Sequence, residues 1–377
     1  MIKKIKFHEL KNENFTIIPI PFKDEILSSW IVRTAYAHKT HPHTFVNQYL
    51  NFRPYSFFLT ENDITLSQDM IKTIEEKSHH KVDIHSLMLT TYSGFIQENI
   101  YDNSPTTFFT QQKYCPVCLR EDKIPYFRKK WRVVFYNICH KHNCYLYEHC
   151  PSCKTKLDIS KMNKNKLPYT HCYQCGFELK RGRKLPIHQK HISSLEYQNE
   201  IFKIIHDGYI QLDGSPIYSF LFFEVFSKLS KLILLDKKHA FINEHPLFSL
   251  LKNAKVQKFN RQIFKKIDAK GQSGLFGLIM YIFDDFPNNL KRYILQNKLT
   301  YHDMTTKVSY VPFIYGSTVN AITPQYLPNS VTITKEEVEH AEQYLKLTGK
   351  AINKANLNTL LGCNFSSNDN HLKNYLK

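Results

Sequence analysis

The chain begins with a segment of mixed apolar and polar positions, residues 1–20, which closes on Pro19 and Pro21 and reads as extended. Helical periodicity follows: Ile26, Leu27, Trp30, Ile31, Ala35 and Ala37 fall mostly on one face, which predicts a helix capped by Asp24. Thr40 to Pro42 ends it. Thr44 can cap a second, short helix carrying Phe45, Val46, Tyr49 and Leu50, and two short helices around a tight turn are the skeleton of a helix-turn-helix. Another pair is expected, with Met70, Ile71 and Ile74 on one helix and Ile84, Leu87 and Met88 on the next, capped by Asp83. From Gln111 to about Leu185 the helical period gives way to cysteine pairs, aromatics, lysines and short β-prone runs such as Trp131 to Ile138. Beyond Ile192 helices return at 196–206, 217–235, 255–266 and 274–283. A stretch punctuated by Pro, Ser and Thr, Val308 to Thr334, separates these from a last helical set. There Lys335 to Lys346 presents Val338, Ala341, Tyr344 and Leu345, a turn falls at Gly349, and helices over 353–361 and 368–376 complete the drawing.

The patterning gives a mainly α, multi-domain fold class: an N-terminal helix-turn-helix-like helical domain (1–110), a central tandem zinc-ribbon or zinc-finger module (111–192) and a C-terminal helical domain (193–377). A second helix-turn-helix can be drawn over 335–377. Charge sharpens this division. The net +18 is distributed as −1 over residues 1–110, +13 over 111–192 and +6 over 193–377. A positive field concentrated in the middle of a chain is the footprint of a polyanion contact, so double-stranded DNA is the leading partner class. No secretory signal or membrane span is visible, since the most apolar stretch, Tyr218 to Leu235, is interrupted by Glu224, Lys228 and Lys231. A cytoplasmic location with no membrane partner is expected, and cysteines there point to metal rather than disulfides.

Eight of the nine cysteines lie between Cys115 and Cys175, and Cys363 stands apart. Cys115 and Cys118, then Cys139 and His142, form two knuckles suited to one tetrahedral ion; Cys150, Cys153, Cys172 and Cys175 form a second set. Two structural zinc ions per chain are the expected cofactors. Cys144 can replace His142 in the first set, and His140, His149 and His171 are further substitutes. Redox-active pairs would want a single motif at a helix start in a βαβ context, which is absent.

Two basic runs flank these motifs and supply the candidate phosphate contacts: Arg128, Lys129, Lys130 and Arg132, then Lys180, Arg181, Arg183 and Lys184. The interleaved Tyr126, Phe127, Trp131 and Phe135 read as core over the metal in preference to a base-stacking platform. In the near-neutral first domain, Trp30, Ile31, Phe45 and Tyr49 offer more apolar area than a short helical pair buries on itself, which makes them candidates for a protein interface, most simply in a homodimer. No Walker loop, G-x-S-x-G or H-E-x-x-H occurs. The chain is expected not to be an enzyme. The string His140, Lys141, His142, Asn143 suggests a metal nuclease only if His142 is free of zinc.

The segment PIPFKDEILSSWIVRTAYAH, followed by THPHTFVNQYL, resembles the opening of the TniQ (TnsD-like) transposition proteins. CPVCLREDKIPYFRKKWRVVFYNICHKHNCYLYEHCPSC then resembles that family's C-P-x-C-L, Trp, C-x-x-H-x-x-x-L and C-P-x-C series, in order. The resemblance covers roughly residues 17–178. It implies a target-selection protein of a DNA transposon in bacteria, acting at the nucleoid. Such a protein links a target DNA, or a CRISPR Cascade complex with its guide RNA, to an AAA+ transposition ATPase and a transposase. A zinc-containing, sequence-specific transcription regulator would share the same elements and is the alternative.

Overall fold

The computed structural model describes residues 14–57, 63–64, 66–92, 112–159, 161, 169–251, 267–323 and 334–361. The expected helices over 255–266 and 368–376, and Cys363, lie outside the described residues.

The first region is helical: α1 (Leu27–Ala37), α2 (Pro42–Leu50), α3 (Pro54–Phe57), α4 (Gln68–Lys77) and α5 (Ile84–Leu87). Two expected caps are corrected. Asp24 does not cap α1, whose N-cap is Ile26 without a side-chain bond. The Asp24 carboxylate instead accepts from the Tyr126 hydroxyl at 2.7 Å and lies 3.5 Å from Arg128. Thr44 sits inside α2; Pro42 starts that helix, because a proline at the first position loses no hydrogen bond, and His41 caps it. Ser67 and Asp83 cap α4 and α5.

Trp30, Ile31 and Phe45 are each 0 % exposed. Their expected role at a protein interface is therefore corrected: they are the centre of this region's own core. The reason lies in partners outside the α1–α2 pair. Phe15 packs against Trp30, Phe45 and Tyr49, and Ile71, Ile74, Ile84 and Leu87 from α4 and α5 close the cluster. Tyr49 is half-buried and stacks on Phe45 with ring centroids 4.7 Å apart.

The middle region carries little regular structure: α6 (Pro116–Glu121), a 3-10 turn (Lys129–Arg132) and a minimal hairpin of β1 (Ile138–Cys139) and β2 (Cys144–Tyr145), paired Cys139 to Cys144. The expected β run over Trp131 to Ile138 is mostly irregular. Its apolar side chains point into a core shared with the third region. That region comprises α7 (Ser193–Asp207), a hairpin of β3 (Tyr209–Leu212) and β4 (Ser215–Tyr218), α8 (Ser219–Leu234), α9 (Ala269–Asp284), α10 (Asn288–Gln296), α11 (Tyr301–Thr305) and α12 (Phe313–Ile322). The stretch expected to separate helices, 308–334, thus contains one. A last helical pair, α13 (Lys335–Leu347) and α14 (Lys354–Leu361), closes a small core of its own from Val338, Ala341, Leu345 and Leu357.

The middle and third regions share one continuous core. Phe135 packs on Phe223, Phe276 and Phe226 with centroids 4.9, 5.1 and 5.5 Å away. The buried Gln198 of α7 accepts from the amides of Asn137 and Ile138, both at 2.8 Å, and donates to the Ile138 carbonyl at 2.7 Å. No sequence motif announced this clamp. Gln198→Leu strands three buried backbone groups, and urea denaturation should show about 3 kcal/mol or more lost, because each unsatisfied buried polar group costs about 1–3 kcal/mol. In α9, Gly277 permits the close approach of the 246–250 turn: a Cβ there would sit 2.4 Å from Leu247.

Candidate metal centres and the strap between the helices

The first cluster is built by α6 and the β1–β2 hairpin. Cys115 immediately precedes α6 and Cys118 lies in its first turn, while Cys139 ends β1 and His142 lies within the hairpin turn. The four ligand atoms all lie within 4.8 Å of one another. His142 Nδ1 sits 3.3 to 3.4 Å from each of the three sulfurs, and Cys118 and Cys139 Sγ are 3.6 Å apart. A tetrahedral ion with metal–sulfur bonds of about 2.3 Å needs sulfurs about 3.8 Å apart, so the set fits. Cys144 is buried with its sulfur 3.7 Å from Cys115, outside the four-atom group.

The far side of the imidazole is also fixed. His142 Nε2 lies 2.9 Å from Glu121 Oε2, which Lys141 approaches to 2.7 Å. Hydrogen bonds from Lys141 and His142 hold the Glu121 carboxyl below the usual range. A carboxylate behind the ring orients it and selects the tautomer that points Nδ1 at the sulfurs. His140 does not join the ligands; its Nδ1 meets the Tyr136 hydroxyl at 2.6 Å and Lys130 Nζ at 3.2 Å.

Cys150, Cys153, Cys172 and Cys175 make the second cluster, with Cys150 to Cys175 and Cys153 to Cys172 both at 3.6 Å. Three knuckles share one local design. Directly after the second ligand, Asn143, Lys154 and Gly176 take left-handed backbone with φ of 47°, 61° and 73°. Each returns its amide to the carbonyl of the first ligand, at 2.8, 3.0 and 2.9 Å. The turn thereby aims both ligands at one point. The two clusters differ in cover: Cys115, Cys118 and Cys139 are buried, whereas Cys153 is half-buried and Cys175 exposed.

Arg128 and Arg132 of the first basic run are buried. Arg132 pairs with Asp63 at 2.6 Å, and Asp63 also accepts from the Ser28 amide and hydroxyl at 2.9 and 2.7 Å. Arg128 pairs with Asp122 at 2.7 Å and lies over the Tyr126 and Trp131 rings. Lys129 is half-buried with its amine on the Ser86 carbonyl, and Lys130 reaches His140 and the Tyr136 ring. Backbone bonds complete the strap: the Ile26 amide to Phe127 at 3.1 Å, the Phe127 amide to the Ser29 hydroxyl at 3.0 Å, and the Lys129 amide to Asp24 at 2.8 Å. Beside it, Arg33 pairs with Glu25, whose fully buried carboxyl is pushed up by desolvation against the pull of that guanidinium. The candidate phosphate contacts Arg128 and Arg132 are thus corrected to internal ion pairs. Carboxylates from α1's entry, Asp63 and Asp122 outcompete solvent for them.

In the second run, Lys180 and Arg181 both pair with Glu178, at 2.8 and 2.7 Å. Arg183 and Lys184 are exposed. The strand-like segment after them is tied to β2 through the Tyr145 amide and Leu185 carbonyl at 2.9 Å. They stand near a cleft of about 410 Å³ lined by Tyr145, Tyr147, Lys154 and Lys270. Lys154 and Lys270, distant in sequence, were not singled out by charge runs.

Residues 16–146 match the TniQ family model. The chain carries a TniQ-family domain. The TniQ segment runs through α1 and α2, the strap and the whole first cluster, and it ends on β2 before the second cluster begins. It therefore coincides with the part that Asp63, Arg128 and Arg132 weld together. A search of curated proteins returns no match to the chain. Among the described residues no helix is long and apolar enough to cross a membrane.

Proposed function

We infer that this TniQ-domain chain selects target sites for a DNA transposon, linking the chosen site to an AAA+ ATPase and a transposase without itself catalysing a step. The supporting observation is the TniQ match across a four-ligand cluster whose donors close around a single point. Zinc is the ion proposed for both clusters, because three thiolates with one imidazole, and four thiolates, at tetrahedral spacing are its preferred structural donor sets. Closed coordination leaves no position for a reacting water, so the ions would hold shape.

Of the two basic runs, Arg128, Arg132, Lys180 and Arg181 are taken up in ion pairs. Arg183 and Lys184, with Lys154 and Lys270 nearby, support a modest, sequence-tolerant phosphate contact. That favours a recruiter working with a second targeting factor, such as a CRISPR Cascade complex with its guide RNA, over a protein that reads an attachment site unaided. Each phosphate contact contributes a slope of about 0.9 in log affinity against log salt, so Arg183→Ala with Lys184→Ala should flatten the slope by about 1.8. Lys180→Ala with Arg181→Ala should change it by less. Fluorescence anisotropy with duplex DNA across a salt series measures both.

The function itself is tested by transposition in cells carrying the donor element, its ATPase and its transposase. With this chain present, insertions should gather at a defined target. An unchanged insertion frequency and distribution on deleting the chain would reject the reading.

A further inference from the structure

The β3–β4 hairpin turns through Asp213 and Gly214, both left-handed at φ 48° and 74°, which makes it a type I′ turn closed by Leu212 and Ser215. A two-residue loop of this type makes its closing pair hydrogen-bonded, and antiparallel ladders alternate. Ile210 and Ile217 therefore form the next hydrogen-bonded pair, and the amides and carbonyls of Tyr209 and Gln211 point away from β4. On the other strand, the outward position opposite Gln211 is Pro216. Proline has no N–H, so it blunts the β4 edge. The open edge of this sheet is β3.

A cleft of about 340 Å³ runs along that edge, lined by all four β3 residues and by none of β4. Ile204, Met280 and Phe283, all buried side chains of α7 and α9, give it an apolar floor. Its rim is acidic, with Glu200, Asp207 and Asp284 against the single Lys203. Glu196 stands one turn before Glu200, and the Glu200 carboxyl is pushed up by desolvation and by Asp284 and Glu196. This negative rim sits on a chain of net charge +18. Nucleic acid is repelled there, and a second copy of the same acidic edge is too.

We propose that the β3 edge and its cleft take an extended, basic segment of a partner protein as an added strand, its backbone pairing with Tyr209 and Gln211 and its Lys or Arg side chains meeting Glu200, Asp207 and Asp284. Main-chain pairing supplies affinity in this mode, and alternate side chains supply selectivity. None of the residues lining the cleft belongs to either metal cluster or to the basic runs, so the proposal stands whether or not the transposition reading holds.

The test selects a random twelve-residue phage-displayed peptide library on the full chain, then measures enriched peptides by fluorescence anisotropy. Enriched sequences should alternate Lys or Arg with β-branched residues. N-methylation of alternate peptide amides, which blocks strand pairing, should weaken binding to the unmodified chain by about tenfold or more, equivalent to about 1.4 kcal/mol. Glu200→Gln with Asp284→Asn, both at exposed positions, should weaken it by a similar factor. No enrichment, enrichment of acidic peptides, or binding indifferent to N-methylation would overturn the proposal.

Discussion

Removing metal from the first cluster should unfold most of the chain, whereas losing the second should leave it folded. Cys115, Cys118 and Cys139 belong to the same buried core as Phe135, Phe223 and Phe276; Cys150 and Cys172 of the second cluster join it too, but only the first cluster has all its thiols buried. A structural zinc contributes about 10–16 kcal/mol at neutral pH, which is as large as the roughly 5–15 kcal/mol range of net stability of ordinary domains. Cys118→Ser should therefore yield a chain without a cooperative thermal transition. Cys175→Ser opens an exposed corner of the other cluster. It should reduce the metal content from two equivalents to one while circular dichroism keeps the helical signal. With graded chelator the second ion should leave first, and helix should be lost only with the first cluster's ion. Simultaneous loss of both ions, or a Cys118→Ser chain that melts like its parent, would contradict this account.

Arg132→Ala should cost about 3–5 kcal/mol, the penalty for leaving a buried charge without its partner. The uncompensated group is Asp63, 5 % exposed, which would keep only the Ser28 bonds. Asp63→Ala should destabilise as well, by removing the buried carboxylate that Arg132 pairs with. The double variant Asp63→Ala, Arg132→Ala should recover a large part of the loss, since neither charge then remains buried alone. Arg183→Ala, at an exposed position, should stay within about 0.5 kcal/mol of the parent. Urea denaturation of the four chains decides the matter. Equal, small effects at Arg132 and Arg183 would return the first basic run to the solvent.

The mutations separate two kinds of information in the chain. The candidate metal clusters were legible because each knuckle is local, two candidate ligands three positions apart, and in three of the four Asn143, Lys154 or Gly176 turns the backbone directly after them. Such a unit is encoded in five consecutive residues, and only the pairing of knuckles needs the fold. Helices α1, α4, α7, α8, α9 and α13 were legible for the same reason, since amphipathic period is a property of neighbouring positions. Spacing favoured His142 over Cys144, because Cys139 and His142 stand as far apart as the ligands of the other knuckles, and left Cys144 as a substitute. Glu121 at the end of α6 and the register of the β1–β2 hairpin place the imidazole among the sulfurs and leave Cys144 beside Cys115.

Charge and exposure belonged to the tertiary structure alone. A run of four cations looks like a DNA contact in one dimension. Arg132 instead finds its carboxylate 69 residues away, and the Phe127 amide finds the Ser29 hydroxyl 98 residues away. Trp30, Ile31 and Phe45 looked like surplus apolar surface because the cover for them comes from Phe15, α4 and α5. Sequence carries the chemistry of each side chain and the local geometry of each turn. Whether a cation is spent on a buried carboxylate or left for a phosphate depends on distances between segments far apart in the chain, and only folding sets those.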